Sequence, residues 1–286
     1  MALALDLTNE VIVTRRPGPL EVHVRGEGAG ELPESADNLV CQAMAQGLDS
    51  LDGLIVECNN RIPLGRGLGS SAAAACAGLV AANAIGAHRW APDELLRRAS
   101  AIEGHADNAG ACILGGIVAV GPDTRAVQIP VPEELLFVAV VPRDRVSTAT
   151  ARGALPAEVP HADAADTVAR AIGLVIALER GELDDLPVLL QDRLHEPYRA
   201  PLVPGIDRLR ALCGDCGCLG VTISGSGPTV LLWCRRPDAA AVAERASAAL
   251  LEDGVAADVN VLRVAPGGVR ARWVEGPDTR LAKAVG

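Results

Sequence analysis

Apolar and polar residues first follow one another with the two-residue period of strands. Residues 4–7 lead to 10–14, Pro17-Gly18-Pro19 turns the chain, and 20–24 alternate again, so this stretch predicts short strands. Asp37-Asn38 then precedes a helix to about residue 47, and 54–58 reads as a further strand. An alanine-rich helix is predicted over 71–85, closed by Gly86. Pro92-Asp93-Glu94 opens the next, with proline early and acids in the first turn, and it ends near Ile102. The polar cluster from Glu103 to Asn108 breaks an otherwise apolar region. A hairpin follows, 117–120 with 126–129, turning at Gly121-Pro122-Asp123.

From residue 135 the rhythm changes. A strand at 135–141 is followed by helices at 164–180 and 183–194 and a short one at 205–213. Strands 219–223 and 229–234, helix 237–252 and strand 257–264 complete the series. Without the extra helices the order is β-α-β-β-α-β, the split ferredoxin-like arrangement. Pro130 and Pro132 punctuate the junction, so an α+β chain of two domains is expected, residues 1–132 and 133–286.

Composition narrows the class. With 286 residues the chain is long enough for ample core, and 49% hydrophobic with 22% charged residues is ordinary for a globular protein. Aromatic residues are only 2%, so Leu, Val, Ile and Ala must fill the interior. The net charge of −10 argues against nucleic acid as a partner. No apolar run reaches the length of a membrane span, and no basic segment leads a hydrophobic core at the start, so a cytoplasmic protein is expected. Of eight cysteines, Cys213, Cys216 and Cys218 are the densest group. They lack the second CxxC or nearby histidine that would complete a tetrahedral metal site, and reduced structural thiols are the expectation.

The stretch richest in chemistry is Pro63-Leu64-Gly65-Arg66-Gly67-Leu68-Gly69-Ser70-Ser71-Ala72. Glycines let backbone approach a ligand, serine is a preferred helix cap, and the first N–H groups of a helix have no partner within it. Together these read as an anion cradle at a helix N-terminus. It is not a Walker loop, because Lys283 is the chain's only lysine. A second loop, Ser224-Gly225-Ser226-Gly227-Pro228-Thr229, lies in the other half. Glu103, His105 and Asp107 alternate in the polar cluster. They read either as a helix end with a capped turn, or as a magnesium carboxylate with two substrate ligands; magnesium needs only one or two carboxylates beside phosphates. Arg152 and Arg199 present planar forks suited to a carboxylate.

The first loop resembles the phosphate-binding motif of the GHMP small-molecule kinases, and Ser224–Thr229 resembles their C-terminal glycine motif. Glu103-Gly-His-Ala-Asp-Asn108 resembles the EGHPDN signature of the homoserine kinases, with alanine in place of proline. Residues 146–152 and 195–205 also look like that family. The resemblance implies an N-terminal domain like ribosomal protein S5 domain 2 and a ferredoxin-like C-terminal one. It implies ATP-dependent phosphorylation of the L-homoserine hydroxyl in threonine biosynthesis, with Mg2+ as the cation. By position, Pro63 to Ala72 would hold ATP with Asn38 nearby, and Glu103 and Ser70 the magnesium. His105, Asp107, Arg152, Arg199, Gly225, Ser226 and Gly227 would face homoserine, with Thr148 at the reacting end. A homodimer is the family-level expectation. The chain opens at Met1-Ala-Leu-Ala-Leu-Asp-Leu7, which resembles the segment just after the family's first motif, P-x-S-x-N-L-G-x-G-F-D; that motif's strand and two substrate contacts are expected to be missing. Two rival readings remain at this point, a GHMP kinase for another small alcohol and a non-catalytic ligand-binding relative.

Overall fold

The computed structural model describes residues 1–275 and 280–285, the side chains up to residue 274. In chain order the elements are β1 (Ala2–Leu3), β2 (Glu10–Arg15), β3 (Glu21–Gly26), α1 (Leu39–Met44), β4 (Leu54–Asn60), α2 (Ser70–Ile85), α3 (Pro92–Glu103) and α4 (Asp107–Leu114). There follow β5 (Ile117–Val120), β6 (Ala126–Ile129), β7 (Leu135–Pro142), α5 (Thr148–Gly153), α6 (His161–Arg180), α7 (Leu186–Leu189), α8 (Glu196–Arg199) and α9 (Ile206–Arg210). The series ends with β8 (Cys218–Ile223), β9 (Val230–Arg235), α10 (Ala239–Glu252), β10 (Ala257–Leu262), β11 (Arg270–Glu275) and β12 (Arg280–Val285). They form two compact units: Met1–Leu64 with Gly69–Gln128 and Ala265–Gly286, and Gly65–Leu68 with Ile129–Val264.

The first unit holds a five-stranded sheet ordered β11-β12-β2-β4-β3, in which only β3 and β4 run parallel, and a smaller sheet β1-β5-β6. Alternation along β2 buries Val11 and Val13, and along β4 Leu54, Val56 and Cys58, against α1 and α2. α2 is buried nearly all round, and its small residues make that possible. A Cβ on Gly78 would fall 2.3 Å from the Val40 carbonyl oxygen and 2.7 Å from the Ala43 Cβ, so α1 crosses α2 at backbone contact. Burial raises the thiol of Cys41 to about 11 and that of Cys58 to about 12, so both stay protonated.

The second unit has the sheet order β10-β7-β9-β8, all antiparallel, the ferredoxin-like order read from the sequence. β7 is buried at every position, so both faces of the sheet are covered. Leu136, Val138 and Val140 pack with residues of α9 and α10. Phe137, on the opposite face, meets Trp233 edge-on at 4.8 Å between ring centroids.

Several boundaries differ from the sequence reading. The first strand is Ala2–Leu3 rather than 4–7; Ala4 instead bonds Gly116 and Ala265 through its N–H and C=O, which ends the ladder. The helix expected over 183–194 stops at Leu189. The Asp192 carboxylate takes the N–H groups of Leu194, His195 and Glu196, drawing that stretch into a turn that starts α8. The strand expected over 257–264 ends at Leu262. The domain division expected at 132/133 differs from the compact units as well. From Ala265 the chain belongs with the first unit, where β12 pairs with β2 across Ala282↔Val13 and Ala284↔Val11.

Replacing Gly78 by alanine inserts a methyl where two backbones touch. The expected cost is about 1–3 kcal/mol, read as a lower urea midpoint at unchanged m-value.

Candidate functional site

The glycine loop owes its path to three left-handed residues, Gly65 at φ +64, Gly67 at +78 and Gly69 at +75. Gly69, not a serine, is the N-cap of α2, and no side chain caps the helix. The sequence reading gave that place to serine. Ser70 and Ser71 are instead the first two helical residues, because only glycine adopts the cap's positive φ without strain. The first turn of α2 contains no acid. The N–H groups of Ser70, Ser71 and Ala72 therefore meet the positive end of the dipole with no side chain competing for them.

Close to that turn stand groups from α3 and α4. Ser71 Oγ donates to Glu103 Oε1 at 2.6 Å, which brings the last residue of α3 to the first turn of α2. The serine in contact with Glu103 is thus Ser71, whereas Ser70 was paired with it in the sequence reading. Asp107 Oδ1 accepts from the Asn108 N–H at 2.9 Å and lies 3.1 Å from His105 Nδ1. A Cβ on Gly69 would approach the Asn108 carboxamide carbon at 3.9 Å, so Asn108 borders the loop although the sequence reading gave it no part in binding. No group of three or more His, Cys, Asp or Glu able to hold a metal occurs among the described residues. A lone carboxylate at a phosphate-type cradle fits Mg2+, which takes one or two carboxylates and fills its remaining positions with phosphate and water. Asn38 has a structural task in this fold. It caps α1, accepting from the Val40 N–H at 3.0 Å and donating to the Pro33 carbonyl at 2.9 Å, and it is buried.

Within the second unit, Gly65–Leu68 lies against the second glycine loop. A Cβ on Gly67 would fall 2.1 Å from the Ser224 carbonyl oxygen and 2.9 Å from the Gly227 nitrogen. Ser224 Oγ donates to the Gly67 carbonyl at 2.8 Å, and the Thr229 N–H to that of Arg66 at 3.3 Å. Arg66 turns its guanidinium away from anion duty: Nε and Nη2 donate to the carbonyls of Pro142 and Arg143 at 2.9 and 2.8 Å. In this loop it is the main chain, rather than the arginine, that is left to face an anion.

A short strut sets the remaining groups. Glu196 Oε1 accepts from the Ile223 N–H at 2.7 Å and Oε2 from Arg210 at 3.0 Å. One turn on, Arg199 Nη1 donates to the Gly225 carbonyl at 2.9 Å and Nε to that of Ala151 at 3.4 Å. Arg199 thus joins the second glycine loop, with Gly225, Ser226 and Gly227, to α5. That helix is capped by Ser147, and it carries Thr148 at its first position and Arg152 in its last turn. Thr148 and Arg152 are exposed, and Arg152 has no ion pair among the described residues. Burial pushes the Glu196 carboxyl above its ordinary range, against the bonds from Ile223 and Arg210. Burial opposes ionisation of Asp192 too, but His195 and three backbone N–H groups outweigh it and hold that carboxyl well below the usual range.

Comparison with known proteins gives this geometry its relatives. Residues 36–116 match the family model for the GHMP kinases N terminal domain, and residues 174–252 that for GHMP kinases C terminal. The homoserine kinase of Moorella thermoacetica is 39% identical over 82% of this chain and 81% of its own. That of Streptomyces coelicolor is 42% identical over 81% and 77%. The crystal structure of homoserine kinase from Cytophaga hutchinsonii superimposes with a TM-score of 0.85 at 29% identity, covering 93% of this chain and 89% of that one.

Because the Asp192 pKa is depressed in the fold, its stabilisation is complete above the unfolded carboxylate value of about 4 and is lost as pH falls from there toward the folded value. Asp192→Asn is expected to lower stability at pH 7 by about 0.5–2 kcal/mol, as for a lost cap. It should also flatten the acid limb, so that in thermal melts the gap between wild type and variant narrows steadily as pH falls below about 4.

Proposed function

The chain belongs to the homoserine kinases of the GHMP kinase family, and on that premise we propose that it transfers the γ-phosphoryl group of ATP to the side-chain hydroxyl of L-homoserine, in threonine biosynthesis in the cytoplasm. The observation that carries this reading is the uncapped N-terminus of α2 with Glu103 hydrogen-bonded to its second residue. Backbone N–H groups of Gly65 to Ala72 receive the phosphate oxygens, and the helix dipole lowers the energy of the charge gathered there. Pro63 and Leu64 lead the chain into that cradle. Mg2+ is held by Glu103 together with a serine hydroxyl, Ser70 or Ser71, and supplies charge neutralisation at the phosphates when bound.

On the acceptor side, homoserine offers an ammonium, a carboxylate and a hydroxyl. Asp107, supported by His105, is the anion for the ammonium. Arg152 has its fork free for the carboxylate, while Arg199 spends one donor on the Gly225 carbonyl and one on that of Ala151 and keeps the rest of its guanidinium for the same group. Thr148, exposed at the start of α5 one turn before Arg152, orients the acceptor oxygen. No protein base is required, because phosphoryl transfer of this kind depends on positioning and electrostatics. Asn38 supports the site indirectly through α1, which packs on α2. The working molecule is a homodimer.

Homoserine-dependent ADP release by the purified protein is the direct test, with mevalonate and galactose as competing acceptors; phosphorylation of one of those in preference to homoserine would overturn the acceptor assignment. Arg152→Met is expected to raise KM for homoserine about ten- to a hundredfold, the loss of a charge-assisted pair, and to leave KM for ATP unchanged. Glu103→Gln is expected to cut kcat about a hundredfold or more at saturating ATP and Mg2+.

A further inference from the structure

α6 is the longest helix described, twenty residues, and it buries only part of its circumference. Leu174, Ala177 and Leu178 are buried, and Asp166 and Arg170 bond each other on the buried side. At 3.6 residues per turn, His161, Ala165, Val168, Ile172, Ile176 and Glu179 fall within about 40° of one line along the opposite face. All six are exposed, Val168 and Ile172 by 58% and 57% and Ile176 by 39%. Between the two polar ends this line carries no charge. Three large aliphatic side chains at four-residue spacing, with Ala165 and Ala169 low between them, form an apolar ridge whose exposure to water is unfavourable.

We propose that this face of α6 is the surface through which two copies of the chain pair, antiparallel across a two-fold axis. The inference rests on the homodimer stated above and names its interface. The two polar ends, a histidine and a glutamate able to hydrogen-bond each other, point to a second copy as the occupant. A two-fold contact requires that if residue i meets j, then j meets i. Antiparallel pairing with Val168 against Ile172 of the second copy satisfies this. It also brings His161 at one end against Glu179 at the other, about 27 Å along the helix, twice by symmetry. The helix dipoles then oppose each other favourably. A membrane surface fits less well, because Arg180 is the one basic residue of α6 beside the ridge, Arg170 bonding Asp166 on the buried side, whereas an interfacial helix carries a basic border.

Sedimentation equilibrium at micromolar concentration tests this. Wild type is expected to be dimeric, and Ile172→Glu to weaken association at least a hundredfold while its circular dichroism and urea midpoint stay those of wild type. Ala169→Arg, on the same face, serves as a second disrupting substitution should Ile172→Glu perturb the fold. His161→Glu is expected to weaken the dimer severalfold through repulsion by Glu179, and Glu179→Arg in the same chain to restore it, a rescue that general destabilisation does not produce. A dimer that survives both Ile172→Glu and Ala169→Arg overturns the surface and leaves the homodimer standing. A wild type that is monomeric throughout overturns both, and one that is monomeric yet sediments with anionic phospholipid vesicles assigns the ridge to lipid.

Discussion

The site depends on a contact from which side chains are excluded. Gly67 and the Ser224–Gly227 loop meet main chain to main chain, with no room for a single methyl at Gly67. That contact fixes the middle of the first glycine loop, and two residues later the same loop becomes the cap of α2. Because α2 is itself held at backbone distance from α1 by Gly78, its first turn has little freedom to shift. An oriented row of N–H groups acts on an anion only if it is in place beforehand, since reorganising dipoles during the reaction costs what they return.

A second chain of constraint runs through polar groups. Asp192 gathers three N–H groups to begin α8, Glu196 holds the start of the second glycine loop at Ile223, and Arg199 holds its middle at Gly225 and reaches back to α5. Four residues of helix thereby set two loops that the sheet alone would leave free. Partly buried carboxylates of this kind are costly unless hydrogen-bonded, and here each has its partners. The opposite pKa displacements of Asp192 and Glu196 follow from burial set against donors: burial prevails at the more deeply buried Glu196 over one backbone N–H and an arginine, and is outweighed at Asp192 by His195 and three backbone N–H groups.

Much of the molecule was legible in the sequence because period and punctuation agree there. The second unit's strand order follows from the pattern of its elements, and Gly86 and Pro92 mark helix ends where the structure has them. α4 was not foreseen as a helix, since Gly110 and the small residues around it dilute the helical pattern. The return of the chain from Ala265 to the first unit was also hidden. Strand alternation at Arg270–Glu275 shows which face is apolar but not which sheet it joins: β11 pairs with β12, and the pairing of β12 with β2 is a long-range event. In the site, residue types were readable and contacts were not. Nothing in Gly-Ser-Ser tells which serine faces Glu103, because that turns on a left-handed cap. Nor does the sequence tell that Arg66 spends its guanidinium on two carbonyls at the end of β7.

A cradle made of peptide groups offers every anion the same N–H donors, whatever side chains its non-glycine positions carry. Substitution at Leu64 or Leu68 leaves those donors where they are. The loop therefore has little means of distinguishing one phosphate ester from another. Discrimination among molecules that share a phosphate or a hydroxyl must be exercised by groups with individual chemistry, which in the function proposed above are the acid on α4 and the arginines of α5 and α8. One part of the protein is free to diverge in what it accepts while the other stays bound to a single backbone geometry.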